Sequence, residues 1–511
     1  MKKRALISVY DKTNIVEFAK KIQYEYGYEI VSTGATAECL KCAGINVDEV
    51  SSITNIPELL DGKVKTLHPN VFAGILADIT LSEELNEIVS AGIAPFSMVV
   101  VNLYPFEEIA LKTLDEATLI KNIDIGGCAL LRAAAKNNKN ILAVSSVKQY
   151  EQVLADMKLL GGHFSDELSK KFAQAAIANT ASYDTCIAKT FAQIYDIENN
   201  SLVVNVNKSD LELRYGENPH QKSTLYSAEK VLDYEQLQGK ALSYNNILDA
   251  TAALGIASEF YDVNACAIIK HNNPCGVALG KSLVDAYQKA LDCDPVSAFG
   301  GVVSFTSVVD GVLAKQLTSL FLELIIAPGY TDEALKFFET KKNLRVLKVN
   351  TPLKDYSQYL GRELKVTPFG ILSQEPDVKQ IESDNFKVVT KIKPTPEEIE
   401  DMVFAWKVAK HVKSNAIVIA KDFKTLGICG GQTSRIDALE IALNRACDGS
   451  KDAVLASDGF FPAVDNIQSA AQGRIKAIIQ PGGSIKDNDV ISMADKYSIS
   501  MITTGIRHFK H

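Results

Sequence analysis

No run of the 511 residues approaches the ~18 consecutive apolar side chains that a membrane-spanning helix needs, so no transmembrane segment is expected. The first residues, Met1-Lys2-Lys3-Arg4-Ala5-Leu6-Ile7, start like a secretory signal. Ser8, Asp11 and Lys12 then interrupt the apolar stretch before an adequate hydrophobic region forms. There is no long basic run, and 54 Lys and Arg against 62 Asp and Glu leave a net charge of −8. A general nucleic-acid or anionic-membrane binder is therefore not expected, while a small anion in a local basic pocket still is. Cysteine is scarce and odd in number: nine, scattered, with no disulfide framework, which points to the reducing cytoplasm. The one Cys-x-x-Cys, Cys39 to Cys42, has no second pair at zinc spacing and no thioredoxin-like surroundings. Neither a Gly-x-Gly-x-x-Gly nor a Walker loop occurs, so no dinucleotide or ATP site is predicted. Histidine is rarer still, at seven residues.

What is present is the composition of a globular protein, 47% hydrophobic and 23% charged, in a chain long enough for two to four domains. In the first 150 residues short apolar runs alternate with amphipathic stretches. Ala5–Val9, Glu29–Ser32, Met98–Val101 and Ile141–Val144 read as strands; Lys12–Tyr24 and Ala35–Ala43 read as helices. This rhythm predicts a parallel sheet covered by helices, with ligands at the carboxyl ends of the strands. Residues 165–195 form a long helical pattern. A polar stretch, Glu198-Asn199-Asn200-Ser201, places a domain boundary near residue 200. Beyond it, residues 265–290 and 415–442 share a pattern of apolar strand, Lys, Gly-rich segment and amphipathic helix. That similarity predicts two related α/β lobes, joined by a mixed insert around residues 310–400.

Several loops are candidates for chemistry. Ser8-Val9-Tyr10-Asp11-Lys12 follows the first strand, and Ser32-Thr33-Gly34 opens a helix whose free N–H groups suit an anion. Plain helix capping explains Ser32 and Thr33 equally well. Gly62-Lys63-Val64-Lys65-Thr66 adds two cations, which read either as a pocket or as a solvated loop. Asn122-Ile123-Asp124-Ile125-Gly126-Gly127 precedes a helix that runs through Lys136. The glycines allow N–H groups to approach an oxyanion, Asp124 can orient or deprotonate a nucleophile, and Lys136 can neutralise charge. An Asp cap with a Gly-Gly turn is the plainer alternative. In the second part, Lys270-His271 closes the apolar run Ala267-Ile268-Ile269, and Asn272 to Gly276 reads as the turn that follows. A cation beside the side chain that titrates near neutrality stands at a strand end, as a surface pair or as a site.

Read together, VKTLHP, NLYPF, NIDIGG, LLRAAAKN, RYGENPHQ, LSYNN, IKHNNPCG, DPVSAFGG, IAPGY, SDGFFP, QPGGS and the final RHF-x-H closely resemble the bifunctional purine biosynthesis family that joins phosphoribosylaminoimidazolecarboxamide formyltransferase to IMP cyclohydrolase. The resemblance spans Leu6 to His511. It implies a methylglyoxal-synthase-like parallel-sheet domain over residues 1–199. Over residues 200–511 it implies a transferase domain of two cytidine-deaminase-like α/β lobes without catalytic zinc. It also implies a cytoplasmic homodimer with shared transferase sites, acting on the ribotide AICAR, its formylated product FAICAR and 10-formyltetrahydrofolate. No catalytic metal follows from it, and it admits a structural potassium ion.

For formyl transfer the resemblance makes His271 the base, Lys270 its electrostatic partner and Asn415 a positioning group. Arg214, Tyr215, Arg435, Arg507 and His511 match nucleotide-side or site-closing positions, and Phe460, Phe461, Pro462 and Asp465 match the folate side. For ring closure it places Lys65, Tyr104, Asp124 and Lys136 at the reacting centre. Ser8, Lys12, Ser32, Thr33, Gly34 and Thr66 match nucleotide-binding positions, beside the Gly126-Gly127 pair. The chain departs from the family pattern at Tyr10, at Phe72 and at Ala77-Asp78, all in the cyclohydrolase half. A formyltransferase carrying a non-catalytic, nucleotide-sensing first domain is the alternative.

Overall fold

The computed structural model describes residues 3–57, 59–197, 206–209, 211–227, 230–381 and 386–511. The chain divides into two compact units, Met1–Asn205 and Val206–His511. The polar stretch at residues 198–201 lies outside the described residues.

Unit one is built on a parallel sheet of β1 (Arg4–Val9), β2 (Glu29–Ser32), β3 (Val47–Glu49), β4 (Met98–Asn102) and β5 (Leu142–Val144), in the order β3-β2-β1-β4-β5. Its central strands are apolar on both faces because helices cover both, while the edge strand β3 carries Asp48 and Glu49. Ala5, Ile7 and Val9 pack with Phe18, Ile22 and Tyr150 on one side, while Leu6, Val99 and Val101 pack with Leu130 and Leu131 on the other. The first helix begins at Ile15, later than its periodicity predicts, because Asp11 accepts the Thr13 amide in a tight polar turn. The 29-residue helix Asp166–Ile194 lies along this unit, capped by Ser165 through the amide of Leu168.

Unit two opens with a short pair, β6 (Asn207–Lys208) and β7 (Tyr226–Ser227). Its main sheet has twelve strands. The first six are β8 (Tyr234–Gln238), β9 (Ala265–Lys270), β10 (Asn273–Leu279), β11 (Gly301–Phe305), β12 (Leu322–Ala327) and β13 (Arg345–Val349). A hairpin of β14 (Glu363–Thr367) and β15 (Gly370–Gln374) stands apart from it. The other six are β16 (Lys387–Val388), β17 (Ile417–Lys421), β18 (Lys424–Cys429), β19 (Val454–Ser457), β20 (Ala477–Gln480) and β21 (Ser500–Thr503).

The order is β16-β21-β20-β19-β17-β18-β10-β9-β11-β12-β13-β8, the same pattern read outward from either side of the central β18–β10 pair. Each half is one lobe: an antiparallel edge strand, a helix (Tyr244–Ser258 or Pro396–Ala409), a hairpin, then three helix–strand steps. The insert expected at 310–400 is thereby corrected. Residues up to Val349 complete the first lobe, and Lys387 onward opens the second. The two leading helices share one core on the same face of the sheet, where Leu254 and Trp406 are buried in a single cluster.

The duplication extends to single residues. Gly276 and Gly427 both lie where a helix carbonyl crosses the strand. A Cβ there would stand 1.9 Å from the Ala290 oxygen or 2.1 Å from the Ala442 oxygen, so any side chain would force the helix off the sheet. Ser282 and Ser434 cap the following helices through the amides of Asp285 and Asp437.

Candidate functional site

In unit one the sheet's carboxyl edge gathers most of the predicted loops. Ser8 Oγ lies 3.3 Å from Thr33 Oγ1. Thr33 occupies the N-cap position of Gly34–Cys42, yet its side chain makes no capping bond, so the capping alternative does not account for it. Ser32 is different: fully buried, its hydroxyl donates to the Ile7 carbonyl at 2.6 Å and stitches β2 to β1. Asn102, at the end of β4, accepts the amides of Tyr10 and Asp11 at 2.6 and 2.8 Å and fixes the first loop. Lys12 reaches back to the Tyr10 carbonyl at 3.3 Å.

The loop Gly62–Pro69 spans two helix N-termini. A Cβ on Gly34 would stand 2.8 Å from Lys65 Nζ, and one on Gly126 2.8 Å from Thr66 Oγ1. The two glycines leave room for these side chains, and Gly34 also holds a left-handed backbone at φ 48°. A cleft of about 410 Å³ lies here, lined by Ser32, Thr33, Gly34, Lys65 and His68 among others. Asp124 Oδ1 accepts the Gly127 amide at 2.6 Å, so that N–H is committed to the carboxylate and is not the oxyanion donor the sequence suggested. Tyr183, from the long helix, accepts the Asp124 amide at 2.9 Å and donates to the Asn122 carbonyl. Burial pushes the Asp124 carboxyl up from its ordinary value, against the amides of Gly127 and Tyr104. Burial, then the charge of Asp124, pushes the Tyr104 phenol up as well. Tyr10 packs edge-on to Tyr104 with ring centres 5.6 Å apart, so the departure at Tyr10 sets an aromatic ring against a predicted reacting group.

Lys136 is not brought to this cluster directly. It stands exposed in the last turn of the helix Gly126–Lys136, roughly 15 Å of helical rise from the glycines.

In unit two, β9 and β10 are joined by His271 and Asn272, both left-handed at φ 52° and 63°, with Lys270 paired to Asn273. This is a two-residue type I′ hairpin. The turn expected at Asn272–Gly276 is therefore shorter, and Pro274 and Gly276 belong to β10. Lys270 Nζ donates to the carbonyls of Phe299 and Gly300 at 2.7 and 3.0 Å, which leaves one of its three N–H groups for a ligand. His271 stands exposed at the tip. Beneath it, Asp249 Oδ1 accepts the Asn272 amide at 2.7 Å. Asp249 carries no local sequence signal.

The same unit brings Asn415 to this hairpin through its neighbour Lys413, whose amide donates to Asn273 Oδ1 at 3.2 Å. Arg435 is buried. It pairs with Asp458 at 2.5 Å, donates to Ser457 Oγ at 2.8 Å, and donates to Asn415 Oδ1 at 2.7 Å. Its guanidinium therefore organises Asn415 from behind. The terminal RHF-x-H segment docks alongside, with the Ser414 amide donating to the Lys510 carbonyl at 2.8 Å. Arg507 stacks on Phe509 at 4.2 Å, and the Phe509 and His511 rings are 6.1 Å apart. Of the predicted folate-side residues, Phe460, Pro462 and Asp465 are exposed, while Phe461 is fully buried in the second lobe's core. Of the two predicted rings, Phe460 is the exposed one. Arg214 lies 5.5 Å from the Tyr215 ring in a loop tied to the Ser243-capped helix by Asn245 donating to the Glu217 carbonyl at 3.2 Å.

The sequence profile of the AICARFT/IMPCHase bienzyme family matches residues 134–445, and that of the MGS-like domain matches residues 14–129. The chain is 47% identical over 522 residues to the bifunctional purine biosynthesis protein PurH of Caldicellulosiruptor bescii, covering all of both chains. It is 48% identical over 520 residues to that of Caldicellulosiruptor saccharolyticus, again over all of both. The Aquifex aeolicus protein of the same name is 47% identical over 519 residues, 99% of this chain and 100% of its own. Fold and comparisons together define a bifunctional enzyme of purine biosynthesis. The chain belongs to the AICARFT/IMPCHase bienzyme family.

Proposed function

We propose that the Lys270–His271 hairpin tip carries the formyl transfer of this bienzyme and that the Lys65–Asp124 cluster carries its ring closure. The chain catalyses the last two steps of IMP synthesis. A formyl group passes from 10-formyltetrahydrofolate to the 5-amino group of AICAR, and FAICAR then loses water to form IMP.

The observation that carries the transfer assignment is the fixed Lys270 ammonium, held by two carbonyls beside an exposed imidazole. The aromatic amine is a poor nucleophile. As its nitrogen bonds to the formyl carbon, His271 takes its proton and Lys270 stabilises the oxyanion. The carbon–N10 bond then breaks, and the folate nitrogen leaves protonated. Asn415, held by Arg435, orients the reacting groups; Arg214, Tyr215, Arg507 and His511 hold or close over the ribotide, and Phe460 stacks on the pterin. In ring closure the carboxamide nitrogen attacks the tethered formyl carbon. Asp124 accepts its proton, Tyr104 donates to the departing oxygen, and Lys65 and Thr66 steady the ligand over Gly34 and Gly126. No step is routed through a potassium ion.

Incubation with AICAR and 10-formyltetrahydrofolate is expected to yield IMP and tetrahydrofolate, and incubation with FAICAR alone is expected to yield IMP. A chain that accumulates FAICAR would leave only the transferase reading.

We further propose a cytoplasmic homodimer. Among the described residues no disulfide joins two of the nine cysteines, and no helix is long and apolar enough to cross a membrane. The β14–β15 hairpin projects Val366 at 82% exposure and Phe369 at 101% exposure, with Ile371 and Leu372 also exposed. A second copy would cover this apolar arm. Sedimentation should give a dimer for the parent and a shift toward monomer for Phe369→Glu combined with Val366→Glu. A monomeric parent at micromolar concentration would refute the assembly.

A further inference from the structure

The two lobes place the same carboxylate under the same turn. Asp249 and Asp401 stand at matching positions of the two leading helices, each beneath a type I′ hairpin tip, His271-Asn272 or Asp422-Phe423. The second lobe serves as an internal reference for what the fold alone requires. There Asp401 spends both oxygens on the turn, accepting the amides of Asp422 at 2.9 Å and Phe423 at 2.8 Å. In the first lobe Asp249 spends one oxygen, on the Asn272 amide at 2.7 Å. Among the described residues its other oxygen has no hydrogen-bond partner. Asp249 is half-buried, and both His271 and Lys270 lie near enough for their charges to act on it. At the non-catalytic tip the turn residue is an aspartate; at the other it is the scarce imidazole.

We propose that Asp249 is a positioning residue for formyl transfer. One oxygen pins the hairpin, and the other holds the His271 ring and favours its cationic form as the amine proton arrives. The inference rests on the assignment of His271 as the base. The step stays balanced: the proton leaves the AICAR amine for the imidazole, and no net proton moves to Asp249.

The test is Asp249→Asn, which keeps an oxygen acceptor for the Asn272 amide and removes the charge. With the carboxylate gone the His271 ring loses the group that orients it, so the loss is expected in turnover and not in ribotide binding. The turnover number should fall by up to about a hundredfold with KM for AICAR little changed, the cost of a reacting group held slightly out of place. Asp401→Asn should change neither quantity. Turnover equal to the parent in Asp249→Asn would overturn the proposal, as would an identical response from Asp401→Asn. Transfer absent from the parent chain would instead sink the assignment of the site itself.

Discussion

Replacing His271 with alanine is expected to lower formyl transfer by about 10²- to 10⁴-fold, the range for loss of a positioned general base, while ring closure of FAICAR continues at the parent rate. The two effects separate because His271 belongs to unit two and the Lys65–Asp124 cluster to unit one. His271 sits at φ 52°, a conformation that costs alanine more than asparagine. His271→Asn is therefore the companion variant: it suits the type I′ turn and still lacks a base. Both variants should lose transfer alike. If His271→Asn retained most of the rate, the turn and not the imidazole would be what matters. If both activities fell in a folded variant, separate sites would be refuted. Measurement of tetrahydrofolate release and of IMP formation from FAICAR distinguishes these outcomes.

Much of this layout was legible along the chain, and the misreadings have physical causes. The buried strands of both units announce themselves as β-branched runs because helices or a second core cover each face. Lys270-His271 reads as a strand end, and the turn after it is shorter than its residue types suggest. Pro274 and Gly276 look like turn residues. Pro274 instead marks a register shift in the β9–β10 ladder, and Gly276 admits the crossing carbonyl of Ala290. Residues 310–349, about the last third of the first lobe, read as an insert because the repeat is carried by topology more than by residue identity. Asp249, Asp401 and Tyr183 carry no local signal because each bonds the backbone of a residue far along the chain. Lys136 is placed with Asp124 by the family resemblance, and within this chain the helix Gly126–Lys136 carries it about 15 Å along its axis from the glycines.

Substituting Asp124 with asparagine is expected to abolish most ring closure, by about 10²- to 10⁴-fold, and to leave formyl transfer intact. Asparagine retains an oxygen for the Gly127 amide, so the helix start survives; alanine would also forfeit that cap, at about 0.5–2 kcal/mol. Burial raises the Asp124 carboxyl, so the acid limb of ring closure should lie above the ordinary aspartate value of 3.8. The sign for stability is opposite to that of a salt-bridged acid. A carboxyl raised in the folded state favours folding while protonated, and that contribution fades as pH rises through the raised value. Asp124→Asn should therefore be at least as stable as the parent near neutral pH, with the difference shrinking in acid. Thermal melts from pH 4 to 8, read beside FAICAR turnover, check both halves. Ring closure within threefold of the parent would remove Asp124 from the chemistry and leave a nucleotide-binding first domain. A variant less stable than the parent at pH 7 would mean that the ionised carboxylate holds unit one together and that its value to the chain is structural.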